Sequence, residues 1–348
     1  MNDSVPDKPE RRPRYRGTHP RQFGEKYKEH QPERYAEDVA RVVARGRTPA
    51  GTHRPIMVAE ILAGLVPRPG QHVIDCTLGY GGHARELLAA IQPGGKLLGL
   101  DVDPVELPKT EARLRQSITD PQSLSVRRSN FAGLSRVAME VFPEGADLIL
   151  ADLGLSSMQL DDPQRGFTFK LDAPLDMRMN PQHGQSAAAL LSKVTETKLA
   201  ALLKENADEP RAVRLARAIM QTQQRIPIES TRALADVVRD ALDQTDCDED
   251  EIVLSVRRVF QALRIAVNDE FGALDSLLSQ IPYCLRPGGR VAILTFHSGE
   301  DRRVKQAFKS GLAAGIYTSV TDTVIRATPE EQHSNPRSAP AKLRFAVR

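Results

Sequence analysis

Val73-Ile74-Asp75-Cys76-Thr77-Leu78-Gly79-Tyr80-Gly81-Gly82-His83 reads as a short apolar strand that ends in a carboxylate and enters a glycine-rich loop. A helix with Ala84, Leu87, Leu88 and Ile91 on one face follows. A Pro93-Gly94-Gly95 turn then leads to a second strand, Lys96-Leu97-Leu98-Gly99-Leu100-Asp101. Glycine tolerates left-handed backbone and lets the main chain approach a ligand closely. The helix behind the loop offers unpaired N–H groups. An aspartate closing the second strand of such a unit can accept both hydroxyls of a ribose. The stretch predicts a pocket for a ligand built on a nucleoside.

The surrounding pattern extends this unit in both directions. Residues 56–66 read as an amphipathic helix, and Glu106 to Leu114 as another with Pro108 in its first turn. Short strands are expected at 124–127 and, most clearly, at Asp147-Leu148-Ile149-Leu150-Ala151-Asp152. A βαβαβ cadence of this kind predicts an α/β fold, a doubly wound parallel sheet with ligands at the carboxyl ends of its strands.

The alternation stops after Met158. Up to Asp250 the chain shows only helical stretches, near 186–204, 210–223 and 230–242, the last capped by Ser230-Thr231. A long helix is expected over 252–280. A Pro287-Gly288-Gly289 turn then leads into a strand at 290–296, and Leu343, Phe345 and Val347 alternate as a final strand. The expected division is a basic extension at 1–50, the first part of the α/β domain at 51–158, an inserted all-helical substrate-recognition subdomain at 159–250, and the second part of the α/β domain at 251–348.

Composition narrows the class. The 348 residues are 40% hydrophobic, enough for a sizeable core, and no run approaches the roughly 18 apolar residues of a membrane span. Cys76, Cys247 and Cys284 lie far apart with no CxxC pair, which points to a reducing, cytoplasmic setting and away from structural zinc. No His, Cys or carboxylate cluster has ligand-like spacing, so no metal is expected. The net charge of +3 hides an uneven distribution. Residues 1–50 hold twelve Lys/Arg against eight Asp/Glu, six prolines and no Ile or Leu. Such a segment cannot bury much apolar surface and reads as a disordered arm able to meet phosphates.

The spacing Gly79-x-Gly81-Gly82 differs from the GxGxxG that seats a pyrophosphate, and the chain lacks a second nucleotide-binding half. A sulfonium cofactor with one ribose and no phosphate fits better, with Asp75 or Asp152 near its cationic end.

With these residues in view the chain resembles the bacterial small-subunit ribosomal RNA cytosine-N4 methyltransferases, the MraW or RsmH family. The resemblance runs from His53 to Arg344. It rests on His53-x-Pro55-Ile56-Met57, Asp75-x-Thr77-x-Gly79-x-Gly81-Gly82-His83, Asp152-Leu153-Gly154-Leu155-Ser156-Ser157 and Gln159-Leu160-Asp161-Asp162 through Arg165-Gly166-Phe167. Further blocks are Pro174-Leu175-Asp176-Met177-Arg178-Met179, Arg258-Val259-Phe260-Gln261-Ala262-Leu263-Arg264-Ile265, Phe296-His297-Ser298 and Asn335-Pro336-Arg337. Asn206-Ala207-Asp208-Glu209 stands where the family commonly carries Tyr-Gly-Glu-Glu.

The resemblance implies a class I, Rossmann-like methyltransferase fold with S-adenosyl-L-methionine as cofactor. It implies that Gly81, Gly82 and His83 line the methionine end, that Asp101 holds the ribose, that Phe131 lies beside the adenine, and that Asp152 and Gln159 complete the pocket. It further implies methylation of the exocyclic amine of a cytidine in 16S ribosomal RNA of the small subunit, with no DNA and no membrane partner. A homodimer is left open beside a monomer.

Methyl transfer to an exocyclic amine needs the nitrogen held in line with the sulfonium and an acceptor for its hydrogens. Asp152, closing the fourth strand, is the candidate catalytic residue. No covalent enzyme intermediate is expected, since that chemistry serves ring carbons, and Cys76 reads as packing. Candidate substrate contacts are Arg165 and Arg178, which adjoin the predicted pocket, Arg264 on a polar helix face with Arg257, Gln261 and Asn268, and His297 after the fifth strand. Two other functions stand beside this one: a methyltransferase acting on a small metabolite, and a non-catalytic RNA-binding factor.

Overall fold

The computed structural model describes residues 55–155, 159–160, 162–243 and 245–348. The expected arm at 1–50, and His53, Ser156, Ser157 and Asp161 of the sequence blocks, lie outside the described residues.

The fold opens with helix α1 (Val58–Leu65) and builds its sheet from β1 (His72–Asp75), β2 (Lys96–Asp101), β3 (Leu124–Arg128), β4 (Ala146–Asp152) and β5 (Leu285–Thr295). Helices α2 (Gly82–Ile91), α3 (Glu106–Gln116) and α4 (Leu134–Val141) form the crossovers. The order across the sheet is β3-β2-β1-β4-β5-β7-β6, where β6 is Ser319–Val320 and β7 is Lys342–Val347. The first five strands are parallel, and β7 runs antiparallel between β5 and β6. The α/β doubly wound sheet is therefore present, and the chain reverses direction of winding between β1 and β4. Crevices form at the carboxyl ends of strands at such a switch point.

Strand composition explains the layering. A sheet covered on both faces needs apolar residues on both faces. Alternate residues of each strand serve opposite cores: Ile74, Leu98, Ile149 and Ile293 join one, and Val73, Leu97, Leu148 and Leu294 the other. The first core is closed by α4, by α10 (Glu270–Cys284) and by α11 (Ser298–Ala313). The second is closed by α1, α2 and α3.

Between β4 and β5 the chain forms α5 (Ala187–Leu191), α6 (Glu196–Ala207), α7 (Ala212–Arg225), α8 (Thr231–Asp243) and α9 (Glu249–Asn268). These helices bury a third apolar core of their own, running from Phe167 to Leu263. Among the described residues no helix is long and apolar enough to cross a membrane.

Three local expectations are corrected. The single helix expected at 252–280 is two, α9 and α10, separated at Asp269, which adopts a left-handed backbone with φ of 48°. The break lets α9 serve the helical core while α10 packs on the sheet. The stretch 186–204 is also two helices, because Thr195 caps α6 by accepting the Lys198 N–H. Pro287-Gly288-Gly289 lies within β5 as an irregularity: pairing with β4 runs Leu285 to Ala146 and resumes at Arg290 with Leu148.

Candidate functional site

Three strand ends carry carboxylates to one place. The loop after β1 is pinned to its neighbours: Cys76 N–H donates to Leu150 O at 2.8 Å, and Leu78 N–H to Leu100 O at 2.8 Å. Asp75 is fully buried and accepts the Thr77 N–H at 3.0 Å. Burial pushes its carboxyl up to about 6, with the neighbouring Asp152 and Asp101 adding to the rise. Gly79 N–H donates to Asp101 Oδ2 at 2.7 Å, and Thr110 Oγ1 donates to Gly79 O at 2.6 Å. Asp101 also accepts the Asp103 N–H at 2.9 Å, and burial raises its carboxyl above the ordinary range. Each of its oxygens keeps a second lone pair for a ligand hydroxyl.

Gly81 starts α2 with φ of 80°. A Cβ there would press on the side chains of Thr110 and Leu114, and one at Gly82 would come within 2.9 Å of Pro55. The two glycines are thus demanded by the packing of the loop as well as by any approach of a ligand. Because α2 begins here, its first N–H groups have no helical partners.

Asp152 closes β4. Its N–H donates to Thr77 Oγ1 at 2.6 Å, and its Oδ2 lies 3.5 Å from His83 Nδ1. Its Oδ1 is buried and has no hydrogen-bond partner. Burial, then the charge of Glu300, pushes this carboxyl up to about 7. Phe131 follows β3 on a short turn and packs partly buried against the sheet core.

Asp103 is a residue that sequence reasoning missed. It is only 1% exposed and accepts from Val105 N–H, Glu106 N–H, Gln159 Nε2 at 2.8 Å and Arg165 Nη1 at 3.0 Å. Burial alone would raise its carboxyl, but the Gln159 hydrogen bond and the Arg165 charge outweigh that and hold it below the usual range. The available signal was its place two residues past Asp101 at the start of a helix, a capping position. Its partners 56 and 62 residues away could not be read from spacing.

The four candidate substrate residues each have a partner within the chain. Arg165 spans Asp103 and the Met179 carbonyl. Arg178 forms a bidentate pair with Asp176 at 2.9 and 2.7 Å. Arg264 does the same with Glu270 at 2.7 and 2.8 Å. On the same helix Gln261 donates to Asn206 O, and Asn268 donates to Met177 O, so most of that polar face is internal. His297 caps α11: its Nδ1 accepts the Glu300 N–H while Glu300 accepts the Phe296 N–H.

The segment 206–209 is likewise spent on the fold. Asn206 donates to Ala262 O, Glu209 accepts from Ser255 Oγ, and Asp208 accepts from Ser298 Oγ and Arg302 Nη2. Asp208 thereby ties the helical layer to α11.

Folding also assembles Glu270, His297 and Glu300 within 4.8 Å, a grouping that sequence spacing does not show. Arg264 pairs with Glu270, and Glu300 is engaged by backbone N–H groups, so the three side chains are already held by partners within the fold. Arg264→Ala is expected to cost about 3 kcal/mol, because it leaves Glu270 buried without a counter-charge. Urea denaturation measures it, and a loss below about 1 kcal/mol would show that the pair does not hold this corner together.

Residues 50–348 match the family model described as the MraW methylase family. The ribosomal RNA small subunit methyltransferase H 1 of Lachnoclostridium phytofermentans is 48% identical over 97% of this chain and 93% of its own length. The methyltransferase H 2 of Alkaliphilus metalliredigens is 46% identical over 99% of both. The methyltransferase H of Thioalkalivibrio sulfidiphilus is 39% identical over 86% of this chain and 98% of its own.

Proposed function

Because this chain belongs to the MraW methylase family, we propose that it methylates the exocyclic amine of a cytidine in 16S ribosomal RNA, acting on the small ribosomal subunit in the cytoplasm. It is an S-adenosylmethionine-dependent ribosomal RNA methyltransferase, in keeping with the names of its relatives. The observation that carries the finer reading is Asp152: a carboxylate at the switch point of the sheet with one buried oxygen unpartnered beside the glycine loop.

The residues present fit the cofactor. Asp75, Asp101 and Asp152 are held close together with their carboxyls raised, so the site gains from a cation that stabilises their ionised forms. The bound cofactor supplies an electrophilic methyl group on a positively charged sulfur. Asp101 is placed to accept the ribose hydroxyls, and the first N–H groups of α2 to meet the amino-acid carboxylate. Phe131 offers an apolar ring past β3 for the adenine, and Gln159, fixed by Asp103, closes the pocket.

Asp152 Oδ1 accepts a hydrogen of the target amine and orients its lone pair, a contribution of several kcal/mol through alignment alone. The base must leave any stacked helix to reach it. With aromatics at 5% and no tryptophan, RNA contact rests on shape and phosphates more than on stacking. We assign that contact to the helical layer at 159–250, which stands next to the site through the Asp208 tie to α11.

Methyl-labelled cofactor offered with purified small subunits, protein-free 16S RNA and free cytidine tests the whole reading. Digestion of the RNA to nucleosides is expected to yield N4-methylcytidine. Label on free cytidine alone, on another base or on none would overturn the assignment.

A further inference from the structure

His83 is buried, 8% exposed, and its ring has two polar neighbours. Nε2 lies 2.9 Å from the carbonyl oxygen of Ile56. A carbonyl only accepts, so Nε2 carries the hydrogen, and in the neutral ring Nδ1 is a bare acceptor. That bare nitrogen faces Asp152 Oδ2 at 3.5 Å. When Asp152 is ionised two acceptors thus oppose each other, an arrangement that becomes favourable when one proton is added.

We propose that His83 is a positioning residue for methyl transfer: with Asp152 it forms a pair that takes up the one proton the target amine must release. This rests on the methyl-transfer reading above. In the step, the amine nitrogen forms a bond to the methyl carbon while the carbon–sulfur bond breaks and its electron pair stays on sulfur. The amine nitrogen then loses one proton to the Asp152 carboxylate. Rotation of the carboxyl group about its Cβ–Cγ bond brings the protonated oxygen to the side facing His83, and His83 Nδ1 accepts its hydrogen bond.

Charge supports this sequence. Before transfer the pair carries −1 beside a cation. Afterwards the pair is neutral beside a neutral thioether, so the enclosed net charge does not change. The other ionisable groups facing His83 are Asp75 of β1, Glu86 on its own helix, and Glu331 of α12 (Pro329–Ser334); Glu300 of α11 faces Asp152. All are acidic, so they favour retention of a proton here.

His83→Gln separates this role from a structural one. A glutamine amide can still reach the Ile56 carbonyl but offers no basic nitrogen to Asp152. The variant is expected to keep its melting temperature, while at saturating cofactor kcat falls about 10- to 100-fold with KM for small subunits unchanged. Imidazole-15N spectra of the wild-type protein without cofactor give a readout independent of turnover. His83 is expected as the Nε2–H tautomer, with a titration midpoint that moves in Asp152→Asn. An Nδ1–H tautomer, a midpoint indifferent to Asp152→Asn, or a His83→Gln enzyme with wild-type kcat overturns the proposal. Should His83→Gln fail to fold, the spectra alone decide. A wild-type protein that shows the coupled titration but methylates no RNA would sink the functional reading instead.

Discussion

Asp152→Asn is expected to lower kcat by about 10²- to 10³-fold, the range typical of removing a positioned acid–base group, and at the same time to make the protein more resistant to unfolding at pH 8. Both effects follow from one carboxyl. Burial, then Glu300, raises it from 3.8 to about 7. A group whose folded value lies above its unfolded one binds more protons in the folded state between those two values. Its contribution to stability therefore declines as pH rises through about 4 to 7, and is lowest above 7. Asparagine never ionises and escapes that decline. At about 1.4 kcal/mol per unit the gain at pH 8 is at most about 4 kcal/mol, and a realistic value is nearer 2. Denaturation at pH 5 and pH 8 checks it: the advantage of the variant should grow between them. A variant with normal turnover, or with no pH-dependent gain, would show that Asp152 neither serves the amine nor carries the burial assigned to it.

Asp103→Ala is expected to cost about 5 kcal/mol, the top of the range for breaking a buried ion pair from one side. The side chain takes four hydrogen bonds, and its loss strands the Arg165 guanidinium, which is only 13% exposed. Gln159 and the first turn of α3 lose their anchor together, so cofactor affinity should fall with stability. Urea unfolding and calorimetric titration read the two. Because the cost lies in the uncompensated charge, Asp103→Ala combined with Arg165→Met should recover part of the stability lost by the single variant. A single-variant loss under 1 kcal/mol, or a double variant worse than the sum, would contradict this account.

How much of this was legible beforehand depends on whether the information is local. Asp75, Asp101 and Asp152 stand at the ends of apolar runs, and strand direction alone brings such ends together. The glycine loop was readable for the same reason. The break at Asp269 was not: an apolar stripe continues through it, and aspartate announces a left-handed turn far less clearly than glycine does. Thr195 likewise gives no warning, because a lone threonine between two apolar stretches looks like part of either.

The arginines show a different limit. Arg165 and Arg178 adjoin the predicted pocket and Arg264 lies on a polar helix face, but a charge in a sequence does not reveal its partner. Asp103 stands 62 residues from Arg165 and is reached only by folding. Asp176 and Glu270 lay close by, but the register that aims them at Arg178 and Arg264 depends on the turn at 176–178 and the break at Asp269.

The position of β7 between β5 and β6 bears on how the enzyme comes into being. Among the described residues, 342–347 supply the partner of β6 and pair with β5 from Arg290 to Thr295. During synthesis the glycine loop emerges early, yet the fifth strand keeps an open edge until these late residues arrive. Such an edge is adhesive toward other nascent chains. Closure of the β5 edge therefore waits on a strand that follows it in the chain only after α11, β6 and α12, and whatever holds β7 away leaves that edge exposed.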